Sequence, residues 1–170
     1  MLKSKVEKAL NEQINKEMYS AFLYMGMSAY TDSKGWPGFA NWFMVQYQEE
    51  MEHAMKLYHY IQDQGSRVIL EAIDKPPAEF GTPLEMFKQT LAHEQLVTRS
   101  INDLMDLSVQ EKDHATQIFL QWFVTEQVEE ENNDQTIIDQ LKFVGPDGNG
   151  LFMLDRELGT RMYTPPAGTE

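Results

Sequence analysis

The chain has 170 residues, 42% of them hydrophobic, and no cysteine. That length supports one domain with a real core, and the missing cysteines exclude thiolate metal sites, iron–sulfur clusters and disulfide staples. A net charge of −13, from 27 acidic against 14 basic residues, disfavours nucleic acid, whose phosphates call for Lys and Arg, and favours cations.

Helical periodicity dominates from the start. Ser4 and Glu7 have capping-box spacing and open a first helix over about 4–33. Its apolar residues Leu10, Ile14, Tyr19, Phe22, Leu23, Met27 and Tyr30 recur at mixed three- and four-residue steps. Ser33-Lys34-Gly35-Trp36-Pro37-Gly38 is a break, with Pro37 suited to the first turn of a second helix that runs to about Gln64, where Gly65 stops it. Residues 65–81 form a 17-residue link (81 − 65 + 1) containing Lys75-Pro76-Pro77. Thr82, Pro83 and Glu85 supply a cap, a first-turn proline and a capping-box acid for a third helix, to about Leu107. A fourth runs from about Glu111 to Val144 and ends in the turn Gly145-Pro146-Asp147-Gly148-Asn149-Gly150. A short fifth follows over about 151–162, with a loose tail at 163–170.

Short links after helices one and three make antiparallel neighbours, and the long link can run the length of the bundle, so helix three starts at the same end as helix two. The expected fold is all-α: a single domain over 1–170, a four-helix bundle at about 4–144 connected up-down, long crossover, down-up, plus a short C-terminal helix. No stretch approaches the ~18 apolar residues of a membrane span. The N-terminus, Met1-Leu2-Lys3-Ser4-Lys5, enters a charged amphipathic helix rather than a signal-peptide core. A cytoplasmic protein without a membrane partner is the expectation.

One polar pattern occurs twice. Glu17, Glu50 and His53 in the first half match Glu94, Gln127 and Glu130 in the second, with intervals of 33 (50 − 17 and 127 − 94) and 3 (53 − 50 and 130 − 127). A three-residue step keeps both side chains on one helix face. Two helix pairs, each offering one carboxylate and an i, i+3 pair, are what a bundle needs to surround a dinuclear metal site. Four converging carboxylates, Glu17, Glu50, Glu94 and Glu130, would repel one another, and two divalent cations would balance them. Hard carboxylate oxygens with the single His53 favour iron or manganese over structural zinc.

A second Glu-x-x-His, Glu111 to His114, has no matching acid 33 residues upstream, where Ala78 stands. Ser108 and Glu111 read instead as a capping box, and both Glu111 and His114 as surface residues. His59 and His93 have no partner at ligand spacing. Glu126, Glu129 and Glu130 share a face at i, i+3 and i+4, and Glu49 adjoins Glu50, so a third cation position is expected there. Tyr24, two turns after Glu17, and Trp122, eight residues before Glu130, are candidates to pack beside the metals and supply an electron.

The chain resembles the non-haem ferritins of bacteria and archaea over nearly its whole length. The resemblance is carried by Asn15-Lys16-Glu17-Met18-Tyr19-Ser20-Ala21 through Tyr24, Gly38-Phe39-Ala40-Asn41-Trp42, Glu49-Glu50-Met51-Glu52-His53-Ala54, His93-Glu94, and the run from Phe119 to Glu131. It implies a five-helix subunit in a cage of twenty-four copies. It further implies that Glu17, Glu50 and His53 hold one iron, that a bridging Glu50 with Glu94 and Glu130 holds a second, and that Gln127 lies nearby. Glu49, Glu126 and Glu129 with Glu130 match a third iron site. Ferrous iron would be oxidised by dioxygen or hydrogen peroxide and stored as ferric mineral. The haem-bearing bacterioferritins carry Glu-x-x-His in both halves, whereas here the second half reads Gln127-Val128-Glu129-Glu130, so no haem is expected although Met51 falls where their haem ligand sits. A non-storage di-iron peroxidase or oxidase is the other alternative.

Overall fold

The computed structural model describes residues 2–146 and 148–164; the expected loose tail therefore lies outside the described residues from 165 onward, as does Asp147 of the turn. Five helices appear among them: α1 (Ser4–Ser33), α2 (Pro37–Asp63), α3 (Pro83–Gln110), α4 (His114–Val144) and α5 (Asn149–Leu158). No described helix is long and apolar enough to cross a membrane. The long helices are amphipathic, and α1 packs on α2 as α3 packs on α4.

The crossover between α2 and α3 travels beside α1 from its first turns to its last. Asn11 donates to the Arg67 carbonyl at 3.2 Å and accepts from the Ile69 amide at 2.7 Å, Asn15 donates to the Ala72 carbonyl at 3.0 Å, and Tyr30 donates to the Gly81 carbonyl at 3.2 Å. The link thus starts near the beginning of α1 and finishes near its end, which makes α3 parallel to α2 and α4 parallel to α1.

The interior falls into two apolar clusters. One joins Tyr24, Met27, Phe39, Trp42, Phe43, Phe87 and Ile138 to Leu154 and Leu158 of α5. The other, toward the opposite end, holds Val6, Leu10, Ile14, Leu57, Ile61, Ile101 and Leu120. Each fully buried side chain of this kind contributes about 1.5–3 kcal/mol. Sandwiched between the clusters in sequence lie the buried polar residues Glu17, Glu50, His53, Glu94, Gln127 and Glu130.

Helix ends depart from the sequence pattern where tertiary partners compete for the capping acids. The Thr82–Glu85 capping box forms, with the hydroxyl and the carboxylate each satisfying the other's amide. The Ser4–Glu7 box does not: Lys3 is the N-cap, Ser4 is already helical, and the Glu7 carboxylate accepts from the Arg67 amide of the crossover at 3.4 Å. The Ser108–Glu111 box also fails. The third helix continues to Gln110, Lys112 adopts a left-handed φ of 55°, and Asp113 caps α4 by accepting from the Thr116 amide at 3.2 Å. Ser108 is buried in the last turn of α3 and donates to the Met105 carbonyl, while Glu111 pairs with Lys5 at 3.1 Å.

The fifth helix spans Asn149–Leu158, where periodicity placed it at about 151–162. Beyond it, residues 159–164 form a strap along α2. Asn41 donates to the Arg161 carbonyl at 2.9 Å, Arg161 donates to Gln46 and Glu49, and the Tyr163 hydroxyl donates to Glu52.

Candidate metal centre

Each helix of the bundle sends at least one polar side chain into the middle of the interior: Glu17 from α1, Glu50 and His53 from α2, Glu94 from α3, Gln127 and Glu130 from α4, all at most 4% exposed. Glu17, Glu50 and His53 bring ligand atoms within 4.8 Å of one another, and so do His53, Glu126 and Glu130. These are the two such groups of three among the described residues, so His53 stands at their junction.

Neighbouring side chains leave particular oxygens free. Glu17 accepts from Gln13 Nε2 at 2.8 Å through Oε1, while its Oε2 has no partner. Glu50 Oε2 is also without a hydrogen-bond donor and lies 3.5 Å from His53 Nδ1. Glu94 is held on both oxygens, Oε1 by the Tyr24 hydroxyl and Oε2 by Gln127 Nε2 at 3.1 Å. Glu130 Oε2 accepts from Gln46 Nε2 at 2.9 Å. A buried carboxylate oxygen with nothing to pair it costs several kcal/mol unless the group is protonated or binds a cation. The free oxygens of Glu17 and Glu50, beside an imidazole, are a donor set that fits a divalent metal ion.

Electrostatics agree. Burial, then the carboxylates of Glu94, Glu17 and Glu130, push the Glu50 carboxyl well above the usual range. Burial and Glu94 raise Glu130 to about 8. Glu94 is raised by burial, against the lowering effect of its bonds from Tyr24 and Gln127. The Tyr24 phenol is raised well above its ordinary value, first by burial and then by Glu94 and Glu50. These upward shifts favour the protonated carboxyls in the metal-free chain, and cations at the centre would compete with the protons.

The aromatic candidates both lie close. Tyr24 is fully buried against Glu94, and the Trp122 ring meets His53 edge-on with centroids 5.3 Å apart. Of the acids expected around a third position, Glu126 joins His53 and Glu130, Glu129 is exposed, and Glu49 pairs with Arg161 at 2.7 Å. Burial raises Glu49 and Arg161 offsets part of that rise. His59 and His114 are exposed; His93 donates to or accepts from Ser20 Oγ at 2.8 Å, and burial lowers its pKa to about 4.

Four further residues belong to the centre's surroundings. Gln13 and Gln46 each precede an acid of the pattern by four residues, a spacing that extending the motif by one helical turn would have caught. Arg161 lies in the strap, outside any helical period. Asp134, one turn after Glu130, is fully buried with both carboxyl oxygens unpartnered, and burial with Glu94 and Glu130 raises it to about 9.

Residues 7–144 match the family described as a ferritin-like domain. The chain is similar to the bacterial non-heme ferritin of Staphylococcus aureus (strain MRSA252), 44% identical over 163 residues that cover 96% of this chain and 98% of that one. The Staphylococcus epidermidis bacterial non-heme ferritin is likewise 44% identical, with the same coverage. Among solved structures, an engineered closed form of the Archaeoglobus fulgidus ferritin superposes with a TM-score of 0.95 at 46% identity, covering 96% of this chain and 100% of that one.

Proposed function

The chain belongs to the ferritin family, and from that premise we propose that it is a cytoplasmic iron-storage subunit with ferroxidase activity. Ferrous iron is its substrate, dioxygen or hydrogen peroxide its oxidant, and a cage of twenty-four copies its working assembly. The observation that carries this reading is the pair of buried, unpartnered oxygens Glu17 Oε2 and Glu50 Oε2 beside His53.

In this reading Glu17, Glu50 and His53 take one ferrous ion, and Glu50, Glu94 and Glu130 take a second. Four carboxylates neutralise two divalent cations and favour the ferric state, because added negative charge stabilises the higher oxidation state. Each ion gives up one electron, and the pair delivers two to the oxidant. Gln13 fixes Glu17, while Gln127 and the Tyr24 hydroxyl fix Glu94, so the ligands are held before the substrate arrives. The Tyr24 contact with Glu94 also supports Tyr24 as a donor of a further electron.

Exposed apolar residues on the crossover (Ile69, Leu70, Ile73) and on α5 (Phe152, Met153) are the kind of surface that contacts between copies cover. That supports assembly. The site reading is tested by the initial rate of ferrous iron oxidation in air: Glu50→Ala and His53→Ala should each lower it at least tenfold while the helical circular dichroism is retained. Unchanged initial rates in both variants would refute it.

A further inference from the structure

Arg161 reaches the metal centre from outside the bundle. Its Nη2 donates to Glu49 Oε2 at 2.7 Å and its Nη1 to Gln46 Oε1 at 2.5 Å, across 112 and 115 residues of chain. Gln46 is fully buried, and because its oxygen accepts from Arg161, its amide nitrogen must be the atom that meets Glu130 Oε2 at 2.9 Å. One guanidinium therefore holds two acids of the centre's outer side, Glu49 directly and Glu130 through Gln46.

The guanidinium is itself well anchored. Its central carbon lies 4.8 Å from the Trp42 ring centroid, and Asn41 holds its backbone carbonyl at 2.9 Å. Arginine stays charged at any working pH, and its planar fork matches two acceptors at once. The Arg161 and Glu49 side chains are each 23% exposed, so water reaches the pair and the arginine can swing away.

We propose that Arg161 is a built-in competitor for the third cation: its guanidinium occupies the positive charge's place at Glu49, and a metal ion uses Glu49 only after Arg161 has been displaced. The proposal rests on the reading of Glu49, Glu126 and Glu130 as a third cation position. Its consequence is that loading beyond the first two cations requires the Arg161 side chain to leave Glu49 while the strap over 159–164 stays in place. Tyr163, which ties the same strap to Glu52, supplies the control. Tyr163→Phe loosens the strap and leaves the guanidinium in place.

The test is calorimetric titration of the assembled, metal-free protein with Zn²⁺, a redox-inert probe, for the native chain, Arg161→Gln, Arg161→Lys and Tyr163→Phe. Arg161→Gln should tighten the third binding event at least tenfold and change the first two less than threefold. Arg161→Lys, which keeps one charge but lacks the planar fork that meets Gln46 and Glu49 together, should fall between. Tyr163→Phe should match the native chain. A third event that is present but unaltered or weakened in Arg161→Gln overturns the proposal and leaves the third position standing. Equal tightening in Tyr163→Phe overturns it too, since loosening the strap would then be the cause. No third event in any variant removes the third position and the proposal with it.

Discussion

Asp134 follows Glu130 by one turn of α4, and both carboxyls are buried with pKa values raised to about 9 and about 8. Glu50 and Glu94 are raised as well, chiefly by burial. In the unfolded chain these acids ionise near the ordinary carboxylate value of about 4. The folded, metal-free chain therefore holds protons that the unfolded chain gives up. Their contribution to stability is fully present below about pH 4 and is lost as pH rises through the folded values. Thermal unfolding of the metal-free protein should show a melting temperature that falls between about pH 5 and 9, with saturating Zn²⁺ flattening or reversing the trend. Asp134→Asn should remove part of the slope, on the order of 1 kcal/mol per pH unit. A metal-free melting temperature that rises over this window would contradict the assignment.

Glu50 illustrates a conflict between stability and activity. Its carboxyl is 1% exposed, one oxygen has no donor, and three other carboxylates press on it. Glu50→Gln keeps the shape and removes the ionisable group. At pH 8 the metal-free variant should be more stable than the native chain by about 1–3 kcal/mol in urea unfolding. It should also oxidise ferrous iron at least tenfold more slowly. A variant that loses stability instead would place Glu50 in a structural role.

Tyr24 is the counterpart. Its hydroxyl is buried and donates to Glu94, and its ring stacks on Phe43 at 6.3 Å between centroids. Tyr24→Phe preserves the packing and leaves Glu94 Oε1 without a donor, which should cost about 1–3 kcal/mol in the metal-free protein. If the phenol also supplies an electron, electron paramagnetic resonance during iron oxidation should show a tyrosyl radical signal in the native chain and none in the variant. Persistence of an identical signal would exclude Tyr24 as its source.

Asp155 docks α5 on the start of α2. Its Oδ1 accepts from the amides of Gly38 at 2.9 Å and Phe39 at 3.0 Å, capping a helix that has no side-chain cap of its own. A Cβ at Gly38 would sit 1.5 Å from the Asp155 carbonyl oxygen, so only glycine allows this approach. Gly38→Ala should lower stability by about 1–3 kcal/mol through overpacking, and Asp155→Ala by about 0.5–2 kcal/mol through the lost cap. Denaturant midpoints read both losses. No change in either would mean that α5 adds little to the fold.

Legibility in the sequence followed the strength of the local pattern. The four long helices and their order were readable because apolar periodicity persists for seven or more turns, and the interval of 33 picked out six buried polar residues before any geometry was known. Capping was less readable. Three Ser/Thr-x-x-Glu patterns fall at the helix starts expected from the sequence, and only Thr82–Glu85 forms: the Glu7 and Glu111 carboxylates turn to the Arg67 amide and to lysines brought in by folding, and Ser108 lies in the last turn of α3. Asp134 sits in the polar run Asn132-Asn133-Asp134-Gln135, which reads as a solvent face, and its burial is decided by the packing of α4. Arg161 lies beyond the last helix, where no periodicity tells which wall of the bundle a side chain will meet.

The most direct measurement of storage is to add a large excess of ferrous iron in air and determine the iron per chain that elutes with the protein on gel filtration. The account predicts far more than the centre's own two irons, on the order of tens per chain, on a particle the size of a many-subunit cage. About two or three irons per chain on a small particle would contradict storage and leave a di-iron enzyme in its place.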